Sequence, residues 1–76
     1  MEQFTRILHN VDIMGGKACI KGTRVTVSMI VSQIGESKTI EELLGEYPYL
    51  TQEDIAQALK YAAWVVDARD TAIVSA

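Results

Sequence analysis

The sequence predicts a mainly α fold: a three-helix, helix-turn-helix-like bundle preceded by a short N-terminal β-hairpin or extended arm. Three observations carry this expectation. From Val27 onward the apolar residues recur at helical spacing, whereas residues 4–8 and 18–27 are β-branched and apolar without that period. Thr39 and Thr51 each stand three places before an acidic residue, a signature of a helix start. Gly15-Gly16, Gly22, Gly35 and the one proline punctuate these runs, where chain reversals belong. At 76 residues the chain makes one domain, with an arm over 1–26, a helical body over 27–70 and a tail over 71–76.

In the arm, Phe4 to Leu8 and Ala18 to Val27 suit short strands, broken by Gly15-Gly16 and Gly22. Strands this short are marginal alone and need the helices or a second chain. Helix one carries Val27, Ile30, Val31 and Ile34 on one stripe, and Gly35 stands where it is expected to stop. Thr39 caps helix two, Glu42 completes a capping box, and Ile40, Leu43, Leu44 and Tyr47 form its apolar side up to Pro48. Thr51 opens helix three, expected over Gln52 to Arg69, with Glu53 and Asp54 complementing the helix dipole.

The inner stripe of helix three reads Ile55, Leu59, Ala62 and Val66. Tyr61, Trp64, Val65 and Ala68 extend the apolar surface well beyond one stripe and are the expected dimer or partner interface. The plainer reading has the arm folding back over this helix. The tail from Thr71 to Ala76 is uncharged, suited to fray, to extend helix three or to add a strand to a neighbour.

A chain of this size buries only about 60% of its unfolded surface, so a partner subunit is a natural support. Cys19 is the single cysteine, which excludes an intramolecular disulfide and a cysteine zinc cluster. No apolar run approaches the ~20 residues that span a bilayer. The start of the chain lacks the basic and apolar regions of a signal peptide, so a cytoplasmic protein is expected. His9 and Cys19 occur once each with no evident orienting group, so no enzyme, metal or cofactor is expected.

The net charge of −3 is unevenly spread, with +2 over residues 1–30 and −5 over residues 31–76. The glycine-punctuated segment from Gly15 to Val27 holds Lys17, Lys21 and Arg24, and its spacing is not that of a nucleotide-binding loop. Lys17, Lys21, Thr23 and Arg24 are therefore candidate DNA contacts, chiefly to phosphate. Arg24 equally suits an ion pair with Glu41 or Glu42. At the start of helix three, Gln52 and Gln57 suit adenine edges, and Lys60 suits guanine or phosphate. Glu53 and Asp54 oppose this, since they face phosphates unless they point away. A homodimer would double the basic patch, whereas the acidic half suits a protein ligand.

Two stretches carry a family resemblance: Gly16 through Val27, and Ile40-Glu41-Glu42-Leu43-Leu44 followed by Tyr47-Pro48-Tyr49-Leu50-Thr51-Gln52-Glu53-Asp54-Ile55. They resemble the bacterial family called domain of unknown function 433. The likeness spans roughly residues 5 to 65, and its most specific parts are Gly-Thr-Arg and Tyr-Pro-x-Leu-Thr. The family is similar to VapB-type antitoxins. The resemblance implies a helix-turn-helix-like DNA-binding fold and a partner encoded alongside, a PIN-like toxin with RNase activity. Ala18 and Thr26 replace prolines common in the family, which loosens the arm while leaving Thr26 able to cap helix one. The expected function is that of an antitoxin-like regulator, binding operator DNA as a homodimer and neutralising the toxin, with the tail as a toxin-docking segment. The alternative is a protein-interaction adaptor that binds no DNA.

Overall fold

The computed structural model describes residues 3–9, 12 and 14–75, with side chains for all of these except 14 and 71–75. In chain order it contains β1 (Ile7–Leu8), a 3₁₀ turn (Met14–Gly16), β2 (Cys19–Ile20), α1 (Val27–Gly35), α2 (Ile40–Glu46) and α3 (Gln52–Ser75). The fold is mainly α, and the arm is a hairpin.

β1 and β2 pair antiparallel, with Ile7 opposite Ile20 and Leu8 opposite Cys19. Two residues per strand cannot hold a sheet alone, and the hairpin is extended by bonds outside it. Lys21 donates its backbone N–H to the Arg6 carbonyl at 2.9 Å, Ile20 to Val25 at 2.9 Å, and Val27 to Ala18 at 3.0 Å. The chain leaving β2 thus doubles back on itself, using Gly22 at φ +77°, where a side chain would be strained. This reversal delivers Thr26 to the start of α1, where its hydroxyl accepts the Met29 N–H at 3.1 Å.

α1 ends at Gly35, as expected, with Gly35 as its last helical residue. The left-handed position falls on Ser37 (φ 76°), whose N–H reaches the Ile34 carbonyl at 2.9 Å while the Lys38 N–H reaches that of Gln33 at 3.1 Å. This pair of bonds is a Schellman closure carried by a serine instead of a glycine. α2 begins with the expected capping box: Glu42 N–H to Thr39 Oγ1 at 3.1 Å and Thr39 N–H to Glu42 Oε1 at 2.9 Å.

Ile20, Ile30, Leu43 and Ile55 are each fully buried, so the hairpin and all three helices share one core. α1 and α3 make its main packed pair, and the arm does fold back over α3. Phe4 meets Tyr61 edge-on at 5.4 Å between ring centroids and leans on Trp64 at 5.9 Å. α3 runs past its expected end at Arg69 to Ser75, so the tail extends the helix, one of the three fates open to it. Val66, expected in the inner stripe, is instead 56% exposed on the rim of an open groove between α1 and α3. Among the described residues no helix is long and apolar enough to cross a membrane.

Candidate nucleic-acid and partner interface

Asp54 sits at the third position of α3 with none of its surface exposed, and both carboxylate oxygens are engaged. Oδ2 accepts the Thr51 N–H at 2.9 Å, and Thr51 Oγ1 accepts the Asp54 N–H at 3.1 Å, which closes a capping box. Oδ1 accepts Arg6 Nε at 2.5 Å. Burial pushes the Asp54 carboxyl up, but the hydrogen bond and charge of Arg6, with the Thr51 N–H, outweigh it and hold the group below its ordinary value. Asp54 therefore points inward, neutralised, and does not confront a phosphate at the start of α3.

Gln57 lies one turn further on. Its Oε1 accepts the Arg6 backbone N–H at 2.8 Å, while Nε2 donates to Thr5 Oγ1 at 3.2 Å and to Glu53 Oε2 at 3.0 Å. The amide expected to read a base edge is thus spent anchoring the arm to α3. Arg6 is thereby held against the first two turns of α3, and Lys21 is tied to it through its backbone N–H. Gln52 at the start of α3 and Lys60 on its third turn are exposed.

Thr23 and Arg24 share the turn with Lys21 but play different parts. The Thr23 hydroxyl donates to the Ile20 carbonyl at 2.9 Å and accepts the Val25 N–H at 3.0 Å, so it shapes the turn. Arg24 is exposed and, among the described residues, is paired with neither Glu41 nor Glu42. Lys17 stands apart from this group, before β2 and at the edge of the groove described next. Arg6 is the residue that sequence reasoning missed. Nothing local marks it, since its partner lies 48 positions away.

Between α1 and α3 runs an open apolar groove of about 600 Å³. Val27 and Val31 form one wall, Ala62, Val65 and Val66 the other, and the exposed side chains of His9 and Lys17 border it. Tyr61 also lines the groove but is 8% exposed, buried against Phe4 in the chain's own core. Trp64 remains 49% exposed, Val65 is half-buried and Ala68 is exposed. Among the described residues no His, Cys, Asp and Glu side chains cluster as a metal site would need.

The family model for proteins of unknown function DUF433 matches residues 7–62. The chain belongs to the DUF433 family. Its fold is similar to that of the crystal structure of a DUF433 member protein from Anabaena variabilis ATCC 29413, determined at 2.00 Å resolution. The two share 30% sequence identity and a TM-score of 0.78, over 96% of this chain and 73% of that one. No curated protein matches the chain. Within the DUF433 segment lie the hairpin, Asp54, Gln57 and the Gly22 turn, whereas Trp64 through Ser75 of α3 fall beyond it.

Proposed function

We propose that this DUF433 member is a cytoplasmic, antitoxin-like regulator that binds operator DNA as a homodimer and neutralises a PIN-like toxin encoded beside it. The observation that supports DNA binding best is the chain of bonds from Lys21 through Arg6 to Gln57 and Asp54. It ties the backbone of Lys21 to the arm that docks on α3 and turns the Asp54 carboxylate inward, which leaves the exposed Lys21, Gln52 and Lys60 side chains available to a ligand. In this reading Lys21, Arg24 and Lys60 contact phosphates, Gln52 offers an amide to a base edge, and Gln57 and Thr23 position the others.

A mobility-shift series on the DNA upstream of the gene, run across salt concentrations, tests it. Binding is expected to weaken steeply with salt, and Lys21→Ala with Arg24→Ala, present in both copies of the dimer, to reduce the salt slope by about four. No shift even at low salt would remove DNA from the account.

The groove and the half-exposed Trp64 favour a second reading, a protein-interaction adaptor without DNA. Capture of the neighbouring gene's product by the full chain, with no salt-dependent DNA affinity, would support that reading. Loss of the capture on deleting residues 70–76 would assign toxin docking to the tail, whose side chains lie outside the described residues.

A further inference from the structure

α3 outruns its cover. α1 has 9 residues and α3 has 24, which at 1.5 Å per residue is about 13 Å of helix against about 36 Å. Burial follows this mismatch. Ile55, Ala58 and Tyr61 are buried, Val65 is half-buried, and every residue from Val66 to Asp70 is exposed. The apolar character does not stop where the burial does. Val66 faces outward beside Val65, and across the groove Val31 of α1 is 36% exposed.

We infer that the groove is filled by the second half of α3 from a second copy of the chain, the two α3 helices crossing antiparallel at Val65–Val66. This rests on the homodimer of the proposed function and gives it a geometry. Two features of the chain select this occupant. The groove accepts a strip of small apolar side chains, because Ser28 and Ser32 keep the α1 wall low, and α3 past Ala62 offers such a strip in Val65, Val66 and Ala68, beside Trp64 and the charged Asp67, Arg69 and Asp70. Charge selects the register.

In a twofold arrangement, a residue a few positions after the crossing meets one equally far before it. Asp70 therefore comes opposite Tyr61 and Ala62 of the other copy. Lys17 borders the same groove as Tyr61 and Ala62 and is exposed. Each Lys17 then faces the partner's Asp70, twice per dimer. Without that pairing, two acidic C-terminal halves would repel each other.

Sedimentation of the full chain over a dilution series tests this. A dimer is expected. Val66→Glu and Val31→Glu place a carboxylate in the seam and should weaken it at least about a hundredfold. Both positions are exposed in the single chain, so its circular dichroism should stay unchanged. Lys17→Glu should weaken the dimer about fivefold, and adding Asp70→Lys should restore it. A monomer at every concentration overturns the inference, as does a dimer indifferent to Val66→Glu, or a double variant no tighter than Lys17→Glu alone. A Val66-dependent dimer that shifts no DNA would sink operator binding and leave the seam standing. A monomer that shifts DNA would do the reverse.

Discussion

Arg6 and Asp54 lie 48 residues apart in the chain and 2.5 Å apart in space, through Nε and Oδ1. The other oxygen of Asp54 completes the cap of α3, so one buried carboxylate starts the longest helix and fastens the arm to it. A buried group with two such duties should be expensive to remove. Asp54→Ala is expected to lower stability by about 2 kcal/mol, combining a lost cap with an unmet hydrogen bond. A urea denaturation midpoint unchanged from the parent chain would contradict it.

The same carboxylate sets an acid limit. Its folded value lies below that of the unfolded chain, near 3.9 for an ordinary aspartate, so the stabilisation is complete above that value and is lost as pH falls through the folded one. Glu42, held low by the backbone N–H and hydroxyl of Thr39, acts in the same direction. Arg6→Met should therefore shrink the difference in stability between pH 7 and strongly acidic solution. An acid dependence equal to that of the parent chain would show that Arg6 does not hold Asp54 down.

Phe4 should be as costly as a core residue despite its place near the N-terminus. It is 6% exposed and touches both Tyr61 and Trp64. Phe4→Ala is expected to lower stability by about 3 kcal/mol and to red-shift the Trp64 emission as water reaches the indole. An unaltered spectrum would detach the arm from α3.

Ser37 offers the opposite sign. It pays for a left-handed backbone at the end of α1, in a closure that glycine fills without strain. Ser37→Gly should raise stability by about 0.5 kcal/mol, the relief exceeding the added freedom of the unfolded chain. Ser37→Val should lower it, and thermal melts of the two variants would separate these signs.

Lys21 and Arg24 should be dispensable for folding. Both are exposed, so alanine at either is expected to change stability by less than about 0.5 kcal/mol. Gln57→Ala should lower it by about 1 kcal/mol, because the Arg6 N–H loses its acceptor. Melting curves alongside mobility shifts would then distinguish residues that touch DNA from those that hold the touching residues in place.

What could be read in advance divides by distance along the chain. The caps at Thr26, Thr39 and Thr51 were legible because each bond joins residues three apart, and the hairpin was legible from its glycines and β-branched runs. The Arg6–Asp54 pair was not, since Asp54 at a helix start is already explained by its cap. Gln57 was misleading in a similar way, because an exposed-looking amide on a helix suits both a base and a backbone. The stop of α1 at Gly35 was legible, whereas the left-handed turn on Ser37 was not, because serine carries no local signal for it. The groove depends on how far α1 reaches along α3, a property of packing that no single segment carries.

The hydrogen bonds that seat the arm span 48 to 52 positions, and Phe4 waits for Tyr61. During synthesis the arm emerges that many residues before the surface it needs. Its docking closes the longest loop in the fold, so it belongs after the helices have met. The expected kinetic signature is that Phe4→Ala speeds unfolding and leaves the folding rate almost untouched. Until α3 is complete, Phe4 and Ile7 stay uncovered on the nascent chain, where a chaperone or a second copy can find them first.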